Sequence, residues 1–214
     1  IVTLTILRKE KNFYYGILRN IEVILPQNQT LAHDNFKRDE VVKAYLVDIK
    51  KTPKGPQVLL SRTCPEFVLG LLKLEVPEIN DKIVIVKAIA REPSERTKIA
   101  VFSNDSTIDP VGACVGMKGT RIQSIVRELR GERIDIIPWS SDPRIFIARA
   151  LTPATVNMVG LNEEEKTAMV VVNDEQLSIA IGKRGQNIKL ASKLTGWDID
   201  IISESEYSKV KTED

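Results

Sequence analysis

Two stretches, DPVGACVGMKGTRIQSIVRELRGERIDII (109–137) and NDEQLSIAIGKRGQNIKLASKLTGWDIDII (173–202), carry the same landmarks in the same order. Gly116-Met117-Lys118-Gly119 matches Gly182-Lys183-Arg184-Gly185, an isoleucine follows three residues later in each (Ile122, Ile188), and IDII closes both (134–137, 199–202). Upstream, Glu95-Arg96-Thr97 matches Glu165-Lys166-Thr167, and Asn104-Asp105 matches Asn173-Asp174. Repetition decides architecture before any single motif does. At this glycine content a GXXG arises by chance roughly 0.6 times, so one copy alone would mean nothing. Four landmarks aligned twice are not chance.

Around each glycine pair the same order of elements is expected. An apolar stripe at helical spacing (Phe67, Val68, Leu71, Leu72, Leu74) ends at Pro77; strands follow at 82–91 and 97–102 with a turn between them. Then come a helical stretch, the glycine pair, a helix over 120–130 and a strand over 133–137. The second copy reads as helix 143–151, strands 154–161 and 167–172, helix 174–180, glycine pair, helix 186–194 and strand 198–202. The short connection from Pro138 to Pro143 leaves little slack between the copies.

The first sixty residues have a different texture. Short β-rich runs at 1–8, 13–18, 21–25, 41–50 and 57–61 alternate with turn residues, the last after Thr52-Pro53-Lys54-Gly55-Pro56. Five such strands, with a polar link over 26–40, predict a small closed barrel of OB type. The expected fold class is therefore α+β and multidomain, with boundaries at 1–62, 63–139 and 140–206 and a disordered polar tail over 207–214.

Composition narrows the function. With 43% hydrophobic and 28% charged residues the chain is globular in character, and it has neither a transmembrane-length apolar run nor a signal pattern. The expectation is a soluble, non-secreted, cytoplasmic protein, and a start at Ile1 rather than Met reads as a piece of something longer. Two cysteines fifty positions apart, Cys64 and Cys114, and one histidine, His33, leave no set of metal ligands or thiol–imidazole pair. No catalytic residue, metal or cofactor is expected; the cysteines read as small core residues and His33 as a solvated one. The overall charge of +2 hides a gradient from +5 over 1–62 through 0 over 63–139 to −3 over 140–214.

A glycine pair between two helices lets the backbone turn tightly and exposes amide N–H groups, which suits a phosphate. The N-terminus of the next helix adds partial positive charge, and Lys118, Lys183 and Arg184 add a salt-sensitive attraction. A GXXG loop between helices beside a small sheet is the KH arrangement, which clamps about four nucleotides of a single strand. The candidate RNA-binding residues are Gly116, Met117, Lys118, Gly119, Arg121 and Ile122 in the first copy, and Gly182, Lys183, Arg184, Gly185, Asn187 and Ile188 in the second. Ile125, Ile134, Ile136, Ala191, Ile199 and Ile201 serve either as groove walls or as core. In the barrel, Phe13 and Tyr15 share one face and Tyr14 takes the other, so the strand can offer a stacking platform, with Arg19 close by. A nucleotide-binding P-loop fails on spacing, because GACVGMKG does not fit GXXXXGK[ST].

The strings KGPQVLLSRT (54–63), LEVPEI (74–79), KAIAREP (87–93), DPVGACVGMKGTRIQSIV (109–126), ERIDIIPWS (132–140) and LSIAIGKRGQN (177–187) resemble the NusA family of bacterial transcription factors. The likeness runs along essentially the whole chain and implies an S1-type OB barrel followed by two prokaryotic-type KH domains docked into one RNA surface. It also implies, as partners, single-stranded RNA in the form of the nascent transcript, bacterial RNA polymerase through an N-terminal domain outside this chain, and other antitermination factors. No membrane partner is implied, and a monomer is the default. The alternative is an S1/KH cap or accessory subunit of an RNA-degradation machine; a structural scaffold is the third reading. The chain departs from many S1 barrels at Leu25-Pro26, where a histidine is common, and is more aromatic at Phe13-Tyr14-Tyr15.

Overall fold

The fold is described from a computed structural model covering residues 1–213. Five strands, β1 (Val2–Glu10), β2 (Phe13–Leu18), β3 (Ile21–Pro26), β4 (Val41–Thr52) and β5 (Gly55–Ser61), close in the order β1-β2-β3-β5-β4. Alternation puts Leu4, Ile6, Tyr14, Val23, Leu25, Val42, Ala44, Val58 and Leu60 inside, with Phe36 from the long link edge-on to Tyr14 at 5.3 Å. Closure leaves the barrel no unpaired strand edge.

The first KH unit follows as α1 (Pro65–Glu75), α2 (Pro77–Asn80), β6 (Val84–Glu92), β7 (Arg96–Ser103), α3 (Pro110–Val115), α4 (Thr120–Glu128) and β8 (Arg133–Pro138). The second repeats it as α5 (Pro143–Ala150), β9 (Met158–Asn162), β10 (Thr167–Val172), α6 (Leu177–Ile181), α7 (Gln186–Thr195) and β11 (Asp198–Ser203). In each sheet the first two strands are antiparallel and the third runs parallel to the central one. That is the prokaryotic KH topology expected from the resemblance.

Several local expectations need correction. Pro77 does not simply end a helix: after the break at Val76 it occupies the first position of α2, where its missing N–H costs nothing. The strand expected from 154 starts at Met158, and the helix expected over 174–180 divides into a 3-10 turn (Asp174–Gln176) and α6. The tail expected to be disordered is helical: α8 spans Glu204–Glu213, and Asp214 lies outside the described residues. The Asp174 carboxylate accepts from the Ser205 backbone N–H at 3.1 Å and from its hydroxyl, a clamp between the end of β10 and the start of α8. These bonds hold the Asp174 carboxyl below its ordinary pKa.

The units share interior surface. A single cluster joins Ala90, Ala100 and Ile137 of the first KH sheet to Phe146, Ile147, Ala150, Leu190, Ala191 and Leu194 of the second KH helices. Lys98, buried, donates to Asp135 at 2.9 Å and to the Thr152 carbonyl at 2.8 Å, fastening the end of α5 to the first sheet. At the other end, fully buried Arg62 donates to Asp34 (2.8 and 3.2 Å), the Lys43 carbonyl (2.6 Å) and Glu128 (side chain and carbonyl, both 2.9 Å), tying barrel to α4. Both of these buried cations are hydrogen-bonded to carboxylates and carbonyls, the condition for burying charge at tolerable cost. No helix among the described residues is long and apolar enough to cross a membrane.

Candidate nucleic-acid interface

The two glycine loops have one conformation. Gly116 and Gly182 sit at φ 77° with ψ 170° and 167°, a region open only to glycine; Lys118 and Arg184 are left-handed at φ 52° and 55°; Gly119 and Gly185 are left-handed at φ 75° and 70°. The two glycines of each loop do different jobs. A Cβ on Gly116 would lie 2.7 Å from Arg121 Cγ, and one on Gly182 would lie 2.8 Å from the Asn187 backbone N. A Cβ on Gly119 or Gly185 meets nothing nearer than 3.9 Å. The first glycine permits the next helix to pack close; the second leaves the outer surface bare.

The amide N–H groups that the turn exposes do not include those of the four glycines themselves. All four are donated inside the protein: Gly116 to the Gly112 carbonyl (2.9 Å), Gly119 to Gly116 (3.0 Å), Gly182 to Ser178 (2.9 Å) and Gly185 to Gly182 (3.0 Å). The positive charge at the two loops is that of exposed Lys118, Lys183 and Arg184 and of the N-terminal ends of α4 and α7. Met117, 83% exposed, is the one apolar tip. Arg184 also lies 3.6 Å from Glu95 in the β6–β7 turn, which brings the second loop beside the first KH unit.

Two expected interface residues are hydrogen-bonded within the protein. Asn187 is wholly buried, and its Nδ2 donates to the carbonyls of Leu151 (3.0 Å) and Ala180 (3.0 Å) and, at 3.5 Å, Ile179. Arg121, at the same register five residues after the first glycine, donates to the Ala113 carbonyl (2.7 Å) and to Glu78 (2.9 Å). Each residue therefore ties the helix after its loop to the carbonyls ending the helix before it, where unpaired acceptors need partners. Their equivalent position in the repeat was visible; the carbonyls they serve were not.

Ile122 and Ile188 are half-buried beside the loops, as a groove wall requires, whereas Ile125, Ala191 and Ile199 are core. In the barrel Tyr14 is buried, while Phe13 is 41% exposed and Tyr15 half-buried, their rings 6.4 Å apart on the outer face. Arg8 covers the Tyr15 ring at 4.3 Å and is itself held by Glu10 and Glu22, which raise its pKa. Arg19 is exposed in the left-handed β2–β3 turn. Phe13, Pro26, Gln27, Asn28 and Leu59 line a shallow hollow beside these rings.

Cys114 is buried, and burial pushes its thiol up to about 12, the opposite of nucleophile activation. Cys64 is half-buried against the first KH core, and His33 is exposed. Among the described residues no group of three or more His, Cys, Asp and Glu side chains is placed to hold a metal ion.

Comparison with known proteins follows the same division of the chain. Residues 62–139 match the NusA-like first KH domain and residues 143–209 the NusA-like second KH domain. The transcription termination/antitermination protein NusA of Halalkalibacterium halodurans is 50% identical over 210 residues, covering 98% of this chain and 55% of that protein. The protein of the same name from Bacillus subtilis is 50% identical over 206 residues (96% and 56%), and that from Thermus thermophilus 48% over 187 residues (87% and 48%). The chain spans about half the length of the curated relatives it matches. With two NusA-type KH domains in series behind a five-stranded barrel, and identity of this order along nearly its whole length, the chain belongs to the NusA family.

Proposed function

We propose that this chain is a non-catalytic grip for single-stranded RNA, part of a bacterial transcription factor that follows the nascent transcript and acts on pausing, termination and antitermination. The observation that carries the reading is the duplicated loop: two GXXG turns of matched dihedral angles, each with a bare second glycine, an exposed basic tip (Lys118 in one, Lys183 and Arg184 in the other) and a half-buried isoleucine behind it. Lys118, Lys183 and Arg184 draw the phosphates in, Gly119 and Gly185 let the backbone approach, and Ile122 and Ile188 give bases an apolar wall. Phe13 and Tyr15 add a stacking surface on the barrel. Arg121 and Asn187 act by holding the helices that shape the loops. The termination and antitermination role comes from the names of the relatives; partners in it are RNA polymerase and other antitermination factors, in the cytoplasm, with this chain as a monomer.

The test is equilibrium binding of a labelled RNA of about a dozen nucleotides, enough to cross two four-nucleotide grooves, at several salt concentrations. The parent should bind with an affinity that falls with salt, and the Gly119→Asp, Gly185→Asp double variant should lose that binding while still unfolding in a single cooperative transition. Aspartate enters the left-handed conformation more readily than most residues and meets no atom nearer than 3.9 Å at either position, so its carboxylate confronts phosphate at a modest cost in stability. Full binding by the folded double variant would remove the loops from the interface.

A further inference from the structure

The repeat shows what becomes of the outer face of each KH sheet. In the first copy that face presents Ala88 and Ala90 on β6, Lys98 and Ala100 on β7, and Asp135 and Ile137 on β8, paired across the strands. It is covered: α5 and α7 of the second copy pack on it, with Ala90, Ala100 and Ile137 joined to Phe146, Ile147, Leu190, Ala191 and Leu194. In the same register the second copy has Met158 and Gly160 on β9, Met169 and Val171 on β10, and Asp200 and Ile202 on β11. There the cover is partial. Val171 is buried, at the end of the sheet where α8 packs on β10 and β11, but Met158 is 40% and Met169 41% exposed and Gly160 is bare.

The charge beside this opening is one-sided. Asp198 and Asp200 are exposed on β11 and Glu163, Glu164 and Glu165 occupy the β9–β10 turn, none of them in an ion pair among the described residues. Lys166, next to that turn, lies over the Trp197 ring at 4.8 Å. An RNA would be repelled here. A helix of the kind that covers the first copy would not: α7 carries an apolar stripe of Leu190, Ala191 and Leu194 flanked by exposed Lys189 and Lys193.

We propose that the open outer face of the second KH sheet is a docking site for a partner protein's amphipathic helix, apolar along one stripe with basic residues at its flanks. Gly160 lets a backbone come close, the two methionines adapt to the stripe, and Asp198 and Asp200 select the charge. The inference stands apart from the RNA reading, because it uses the opposite charge and none of the loop residues.

The probe is a fluorescein-labelled, hydrocarbon-stapled peptide of the α7 sequence QNIKLASKLT (186–195), titrated with the whole 214-residue chain and followed by anisotropy. The staple is needed because so short a helix is unstable in water. Saturable binding should weaken about tenfold or more in Met158→Asp and in Met169→Asp, as expected when the centre of an interface is disrupted. A peptide with both lysines changed to glutamate should bind worse to the parent, and that order should invert in the Asp198→Lys, Asp200→Lys variant. All variants should keep parental RNA binding and melting, since these side chains are exposed. Three results would overturn the proposal: no saturation up to about 1 mM protein; equal affinity in parent and both methionine variants; or a parent that self-associates in sedimentation and becomes monomeric in Met169→Asp, which makes a second copy the occupant.

Discussion

The two glycines of each GXXG differ in what a side chain would meet, and that separates stability from binding. Gly116→Ala or Gly182→Ala forces a Cβ into contacts of 2.7–2.8 Å at a glycine-only dihedral, and should lower the stability of the KH pair by about 2–4 kcal/mol in urea denaturation. Gly119→Asp and Gly185→Asp should each cost less, about 1 kcal/mol, because the left-handed backbone is strained for any side chain but the space around it is empty. Asn187→Ala belongs with the first pair: it leaves the Leu151 and Ala180 carbonyls buried without their donor, a loss of about 1–3 kcal/mol with RNA affinity retained once the protein is folded. Measuring melting and RNA binding on the same samples would separate these effects.

Strand β2 shows how alternation divides the work within one element. Tyr14 points into the barrel, where it packs on Phe36, and Tyr14→Ala should destabilise the barrel by about 3–5 kcal/mol. Phe13 and Tyr15, one residue either side, face outward, so Phe13→Ala should leave melting unchanged while RNA affinity falls by about 1 kcal/mol or more if a base stacks there. Unchanged affinity would leave the grip to the KH loops alone. Helix α8 is the opposite case: its sequence is polar and lacks a core pattern, and it is held by the Asp174–Ser205 clamp and by contact with β10 and β11.

The three units are joined by buried charge as well as by apolar surface, and this makes the array sensitive to pH. Burial lowers the Lys98 pKa from 10.5 to about 8, against the opposing pull of Asp135. Below pH 8 Lys98 is charged both folded and unfolded, so the full cost of burying the cation is present. Between pH 8 and 10.5 the unfolded chain binds the extra proton, and stability contributed by this group rises with pH. The parent should therefore gain stability over that window relative to Lys98→Met, followed by fluorescence of Trp139 and Trp197, the chain's two tryptophans. At the barrel junction, Arg62→Ala should cost about 3 kcal/mol, since it removes one buried partner of the Asp34 carboxylate, leaving Arg130 at 3.2 Å and the Leu31 N–H at 2.8 Å, and takes the guanidinium donor from the Lys43 and Glu128 carbonyls.

The repeat, the two glycine turns, the period-2 runs of the barrel and the helical stripe at Phe67 and Leu71 were all legible in the amino-acid sequence. They were legible because each arises from residues only a few positions apart, and secondary structure has a local period. What α4 and α7 do with Arg121 and Asn187 was not. Asn187 satisfies a carbonyl 36 residues away and Arg62 one 66 residues away, and no local pattern records which distant backbone group lacks a partner. The same limit hid the inward turn of the glycine amides, the cover of one KH sheet by the next unit's helices and the exposure of the other. Local pattern determined which elements form and where the two glycine turns fall; only the packing of those elements decided which faces are closed, which polar side chains are structural and which surface remains exposed.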